Sequence, residues 1–252
     1  MNEILKADLH LHTAEDRSEN IEHDAYRLLD EAHRQGFDVI SITNHDTFTF
    51  NRKLRDYASK LEILLLPGVE LTVEGRHVLI LGDLSGVRQV KQLKDLYKLK
   101  RAETLLIAPH PFFPASRGLG KSLFACLDLF DVLEYCHCYT RLINFNRLAV
   151  SVAEKEGLPM ASFSDSHMLW QFGRSYSLLL GERSPEGVFS ALRGGAVQMV
   201  TSPLDPLALI RTIKWIVPGL AGKLLDNTLK RRSRKQAVPE FTETILDSRN
   251  SG

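Results

Sequence analysis

A chain of 252 residues, 44% hydrophobic and 25% charged, is long enough to bury a full core and is excluded from the disordered and fibrous classes. No apolar run approaches the ~18 residues of a membrane span, the first six residues lack the apolar stretch of a signal peptide, and three cysteines cannot all pair, which together predict a cytoplasmic protein without a disulfide framework. The formal net charge of +1 hides an asymmetry, because residues 211–235 hold eight basic side chains against one acid and leave a mildly acidic body.

The first strand is expected to run into residues 7–12, where Asp8, His10 and His12 alternate with Leu9 and Leu11. Residues two apart share a strand face, so the two histidines project together as a metal-binding half-site. Residues 21–35 then show helical spacing through Ile21, Ala25, Leu28, Leu29 and Ala32, and stop at Gly36. A strand over 38–43 runs into Asn44-His45-Asp46, and a helix over 51–60 precedes the apolar run 63–66, which ends at a Pro67-Gly68 turn before Glu70. Further elements are a strand from His77 to Leu81, a helix over 87–100, a strand over 104–108 closed by Pro109-His110-Pro111, a strand over 131–136, and a helix over 141–156. The strand 159–163 meets Ser164-Asp165-Ser166-His167, and a helix near 185–193 and a strand over 196–200 follow.

Short apolar strands alternating with helical segments predict parallel βαβ units, about seven strands in all. Strands apolar on both faces suit a barrel. The competing layout, a doubly wound sheet, lacks a glycine-rich phosphate loop after any strand. His10, His12, His45, Glu70, His110, Asp165 and His167 all fall at or just beyond a predicted strand end, and in a βα barrel those ends form one face. Asp16, in the loop after the first strand, and His77 complete a set of nine candidate ligands. One metal with an open position takes about three or four protein ligands, so nine predict two or three divalent metals. Mixed imidazole and carboxylate donors suit Zn, Mn or Fe.

The motifs Asp-Leu-His-Leu-His (8–12), Thr-Asn-His-Asp (43–46), Pro-Gly-Val-Glu (67–70), Pro-His-Pro (109–111) and Ser-Asp-Ser-His (164–167) resemble those of the PHP (polymerase and histidinol phosphatase) superfamily of metal-dependent phosphoesterases. The resemblance implies an α/β fold, a distorted seven-stranded TIM-like βα barrel, with a trinuclear site. Carried over by position, it assigns His10, His12, Glu70 and Asp165 to one metal, Glu70, His77 and His110 to a second, and Asp16, His45 and His167 to a third. The loop after His12 is shorter than the family pattern, which leaves Glu15 and Glu19 as alternatives to Asp16. His77 likewise follows Glu70 more closely than in several relatives. The implied reaction is hydrolysis of a phosphomonoester, a small phosphorylated metabolite or nucleotide, by a hydroxide bridging the metals. Glu70 and His167 belong to the catalytic centre, and a cation holds the phosphate: Arg174 first, then Arg141 and Arg117.

Other residues read more plainly. Asp8 is expected to orient a ligand from behind, and Glu134 either to face the site or to play a structural part. His23 and His33 read as solvated helix residues. Cys136 and Cys138 on one strand face, with His137 on the other, read as buried thiols rather than a metal grip. Residues 1–203 are expected to form the barrel. Residues 204–252 form an extension with Leu207, Ile210, Ile213, Trp215, Ile216, Leu220, Leu224 and Leu225 at helical spacing. Its basic stretch Lys230–Lys235 ends in a solvated helix face, or in contact with nucleic acid or an anionic membrane. An amidohydrolase-like hydrolase, a nuclease and a metal-stabilised nucleic-acid-binding module are the alternative functions.

Overall fold

In the computed structural model of the chain, residues 2–114 and 117–212 are described. The chain divides into two units, Met1–Leu204 and Asp205–Gly252. In the second unit, residues 206–212 are helical, with the Asp205 carboxylate accepting from the Ala208 N–H at 2.8 Å. The basic stretch Lys230–Lys235 and the apolar positions from Ile213 onward lie outside the described residues.

Among its described residues the first unit holds ten strands: β1 (Glu3–Asp8), β2 (Val39–Ser41), β3 (Leu64–Leu66), β4 (Gly68–Val73), β5 (Arg76–Gly82), β6 (Thr104–Ala108), β7 (Val132–Tyr135), β8 (Met160–Ser162), β9 (Ser175–Gly181) and β10 (Val197–Thr201). Four helices accompany them: α1 (Ala25–Arg34), α2 (Arg52–Lys60), α3 (Asn146–Glu156) and α4 (Pro185–Arg193). Three helix starts carry side-chain caps. Asp24, Asn51 and Ser184 accept from backbone N–H groups of the first turn, and Pro185 occupies the first turn of α4, where a missing N–H costs nothing.

The strands form two five-stranded sheets, ordered β10-β9-β1-β2-β3 and β4-β5-β6-β7-β8. Both are mixed: β1–β2, β2–β3, β6–β7 and β7–β8 pair parallel, whereas β1–β9, β9–β10, β4–β5 and β5–β6 pair antiparallel. The expected α/β class is present, but half of these pairings are antiparallel where parallel βαβ units were expected. Among the described residues no continuous ladder closes the ring. At one seam Pro67, which has no N–H to give a ladder, separates β3 of one sheet from β4 of the other. At the second seam, serine side chains stand in for backbone pairing between β8 and β9. Ser177 Oγ accepts from the Ser162 N–H at 3.0 Å and donates to Ser162 O at 3.0 Å, while Ser162 Oγ donates to Tyr176 O at 2.7 Å. Among the described residues, the isolated bridges Leu11↔Ser166 and His45↔Glu70 join the ends of the two sheets by backbone.

The interior between the sheets is a single apolar cluster. It takes Leu5 and Ala7 from β1, Val39 from β2, Leu66 from β3, Leu79 and Leu81 from β5, Leu105 and Ile107 from β6, Val132 from β7 and Leu179 from β9, with Val188, Phe189 and Leu192 of α4 against it. Strand alternation then decides what lies further along the same faces. On β5 the face of Leu79 and Leu81 continues to His77, and on β7 the face of Val132 continues to Glu134. The predicted helix over 87–100 is replaced by two short 3-10 segments, Val87–Gln89 and Leu93–Leu99, which bury Val87, Leu96 and Leu99.

A polyhistidine centre built around Glu70

Glu70 is 1% exposed and sits inside β4, opposite Leu79 of β5. This corrects the expectation that it follows a turn at a strand end. Gly68 permits the placement: a Cβ there would lie 2.2 Å from Ser41 Oγ and 2.9 Å from Thr43 Cγ2, so only glycine lets β4 come this close to the end of β2.

The two carboxylate oxygens of Glu70 face different histidines. Oε2 lies 3.4 Å from His10 Nε2, 3.4 Å from His12 Nε2 and 3.0 Å from His45 Nε2. Oε1 lies 2.8 Å from His77 Nδ1 and 3.2 Å from His110 Nε2. Asp165 Oδ1 joins the first group, 3.3 Å from His10 Nε2 and 3.4 Å from His12 Nε2. His167 stacks on His12 with ring centroids 4.2 Å apart, and His12 stacks on His45 at 4.4 Å. Four sets of three donor atoms, each set within 4.8 Å, share these residues: His10/His12/Glu70, His10/His110/Asp165, His45/Glu70/His77 and His12/His45/His167.

His10 and His12 lie beyond β1 rather than within it, so strand alternation does not hold them. Hydrogen bonds from side chains do. Glu134 Oε1 accepts from His10 Nδ1 at 3.0 Å, and its Oε2 accepts from the His110 backbone N–H at 2.8 Å. Asp16 Oδ2 accepts from Nδ1 of His12 at 3.3 Å, Nδ1 of His45 at 2.7 Å and the His45 backbone N–H at 2.8 Å. A carboxylate on Nδ1 fixes the proton there and turns the Nε2 lone pair inward. Asp16 therefore faces the ring nitrogens of His12 and His45 that point away from Glu70. Of the two alternatives to it, Glu15 accepts from the Ala25 N–H at 3.2 Å, and Glu19 lies 3.4 Å from His167 Nε2. Gln171, which the sequence did not single out, accepts from the backbone N–H groups of His167 and Met168 at 2.9 Å each. Asn44 clasps the loop after His12, accepting from the Thr13 N–H and donating to Thr13 Oγ1 and Thr49 Oγ1.

His110 (φ 30°) and Asp165 (φ 45°) have left-handed backbones, uncommon for residues with a Cβ. Such strain persists only where the surroundings enforce it, and it concentrates at functional sites. The flanking prolines of His110 thus accompany a strained turn.

Electrostatics follow from burial and crowding. Burial alone would raise Glu70, but facing His77, His10 and His45 holds it well below the usual carboxylate range. Asp165 is likewise held low, against its burial, by His10, His12 and His167. Burial would lower His10 and His12, yet the carboxylates around them push both well above the ordinary imidazole value. His167, buried beside His12 and His45, is pushed well below it. Asp8, fully buried, is raised to about 7 by desolvation; its Oδ1 accepts from the backbone N–H groups of Ser164 at 3.1 Å and His10 at 3.5 Å.

The candidate cations differ in exposure. Arg174 is half-buried in the bend before β9, its N–H donating to Gln171 O at 3.2 Å. Arg141 and Arg117 are exposed, and Arg117 O accepts from the His77 N–H at 2.8 Å. His23 corrects the solvated-helix reading: it precedes α1 and is buried, whereas His33 is exposed in α1. The Cys136–Cys138 reading also changes. The chain leaves β7 at Tyr135 and bends at His137, so strand alternation does not apply, and all three donor atoms lie within 4.8 Å of one another.

Residues 144–197 match a family model described as PHP-associated. The fold resembles that of a two-domain Bacteroides vulgatus ATCC 8482 protein containing a predicted PHP-like metal-dependent phosphoesterase, with TM-score 0.66 and 21% identity over 83% of this chain and 69% of that one. Together the matches support the PHP superfamily. An uncharacterized protein of Methanocaldococcus jannaschii is 28% identical over 169 residues, covering 63% of this chain and 96% of that one. The fold is also similar to that of Endonuclease Q, solved in complex with a 27-mer duplex bearing an abasic lesion, at TM-score 0.55 and 16% identity, over 76% of this chain and 57% of that one. No helix among the described residues is long and apolar enough to cross a membrane.

Proposed function

We propose that this PHP protein is a metal-dependent phosphoesterase that hydrolyses phosphomonoesters of small metabolites or nucleotides. The observation that carries the reading is Glu70, whose two oxygens each gather a separate set of imidazole nitrogens, as a carboxylate bridging two cations does. The donor set fits divalent metals on independent grounds. His10 Nε2 and His12 Nε2 are buried without a hydrogen-bond partner, and their Nδ1 protons are already committed to Glu134 and Asp16.

His10, His12, Asp165 and Glu70 would hold one ion and Glu70, His77 and His110 a second. His45 and His167 would hold a third, with Glu19 beside His167 and Asp16 orienting His45. Zn, Mn and Fe all suit such donors. When bound, closely spaced cations neutralise charge on the attacking and leaving oxygens of an in-line displacement at phosphorus and lower the pKa of a bound water to about 7. The protein's own part is to hold the donors. Glu134 and Asp16 fix the imidazole tautomers, Gln171 pins the His167 backbone, and the β4–β5 pairing locks Glu70 in register. Arg174 supplies the guanidinium for the substrate phosphate, with Arg141 and Arg117 behind it in rank. The first unit is the catalytic domain, and the setting is cytoplasmic.

The test is release of phosphate from an aryl phosphate with added Mn²⁺, together with elemental analysis. At least two metals per chain and activity abolished in His10→Ala are expected. Fewer than two metals in metal-replete protein would sink the multinuclear reading. Hydrolysis of amides or lactones without phosphate release would transfer the proposal to an amidohydrolase-like reaction. A nuclease is the second reading, favoured by the Endonuclease Q fold match and the basic stretch 211–235. Salt-sensitive cleavage of DNA that is lost on truncation near residue 228, with no metabolite phosphatase activity, would establish it.

A further inference from the structure

Beyond the imidazole and carboxylate centre, the first unit carries a second cluster of a different chemical kind. Cys138 Sγ lies 3.0 Å from His137 Nε2, and the Cys138 backbone N–H donates to Cys136 Sγ at 3.4 Å. The sulfurs of Cys136 and Cys138 and a ring nitrogen of His137 are mutually within 4.8 Å. Cys136 is buried, while His137 and Cys138 are half-buried.

We propose that Cys136, His137 and Cys138 form a separate site for one thiophilic cation of the zinc class. Zn–S and Zn–N bonds of about 2.3 and 2.0–2.1 Å place tetrahedral donors about 3.5–3.8 Å apart. The observed spacing reaches this with shifts of a few tenths of an ångström to about one. An independent observation points the same way: His137 Nδ1 is a buried nitrogen without a hydrogen-bond partner. The backbone is already fixed, since Asn146, the first residue of α3, accepts from the Cys136 N–H at 2.8 Å and donates to Cys136 O at 2.9 Å. Thiolate donors select soft or borderline cations, in contrast to the oxygen-containing donor sets around Glu70.

Three protein donors leave a fourth position open. The cation would clamp the end of β7, two residues past Glu134, to the loop that leads into α3. The site stands whether or not the Glu70 centre hydrolyses phosphoesters.

The experiment is titration of the purified full-length chain with Cd²⁺, reading the thiolate-to-metal charge-transfer absorption that imidazole and carboxylate donors do not give. Wild type is expected to develop the band and saturate it at about one equivalent per chain. Cys136→Ser and Cys138→Ser each lose most of it, His137→Asn keeps it with affinity roughly tenfold or more weaker, and Cys126→Ser and Glu70→Gln leave it unchanged. Should Cys136→Ser fail to fold, the half-buried Cys138 and His137 variants decide alone. No band in wild type overturns the proposal. So does a band that survives Cys136→Ser, which reports a single thiolate, or one lost in Glu70→Gln, which assigns the sulfur to the polyhistidine centre.

Discussion

The β4–β5 hairpin and the loops beyond the parallel strands deliver their site residues by different means. The β4–β5 hairpin carries Glu70 and His77 within its strands, where backbone pairing on a fixed register sets them: Glu70 opposite Leu79, Thr72 opposite His77. The sheet built on β1 and β2 delivers His10, His12 and His45 from loops beyond the strand ends, and β6 and β8 deliver His110, Asp165 and His167 in the same way. Strand-mounted groups need only a close sheet approach, which Gly68 allows. Loop-mounted groups need carboxylates and amides on their far sides, namely Glu134, Asp16, Asn44 and Gln171, together with strained backbones at His110 and Asp165. The lesson is that the carboxylate facing both histidine sets sits on a paired strand, whereas the groups around it are held by side-chain hydrogen bonds.

Breaking the strand-mounted half is expected to have the largest effect. Glu70→Gln removes the charge both histidine sets face, so metal content falls by at least one equivalent and phosphate release drops by more than roughly 100-fold, exceeding the usual cost of losing a group behind a ligand. Elemental analysis and steady-state assays check it; metal content equal to wild type would show that Glu70 does not bridge. Gly68→Ala pushes β4 away from Ser41 and Thr43. It is expected to cost about 1–3 kcal/mol of stability, read from denaturant midpoints, and to lower metal affinity along with it.

On the loop-mounted side, Asp16→Asn and Glu134→Gln keep their shape and lose their charge. Each is expected to weaken metal binding roughly 10–100-fold with the fold intact, read by competition with a chelator. If Asp16→Asn instead abolishes one equivalent outright, Asp16 is itself a ligand. Acid acts on both halves alike: imidazoles and carboxylates must be unprotonated to hold metal, so affinity falls as pH is lowered, and chelator titrations at several pH values follow it.

The smallest effect lies outside both halves. On α1 the hydrogen bonds from Arg34 hold Glu31 down at about 2. A carboxylate depressed on folding stabilises the chain fully above its ordinary value, and that contribution is lost as pH falls through about 2. Arg34→Ala should flatten this acid-side dependence in urea midpoints without altering metal content.

Much of this was legible in the chain. The short apolar run at 104–108, closed by Pro109, and the spacing and punctuation at 51–60 and 185–193 located β6, α2 and α4 closely, because apolar runs, caps and breakers are local matters. Clustering of histidines near strand ends pointed to one shared centre, since parallel β1, β2, β7 and β8 do end together around it. The antiparallel β4–β5 hairpin was missed because Pro67-Gly68 reads as a turn, whereas here it passes the chain from one sheet to the other. The Cys136–Cys138 cluster was missed because alternation was assumed past the end of β7.

By itself, then, the sequence singled out the nine candidate ligands and most of the elements that bear them, because residue type, periodicity and caps are written locally. The tertiary structure decided which ring nitrogen faces which oxygen, that Glu70 lies between two histidine sets, and that the sheets meet through serines and isolated bridges rather than a closed ladder. Those outcomes depend on how strands distant in the chain approach one another, and no local pattern encodes that distance.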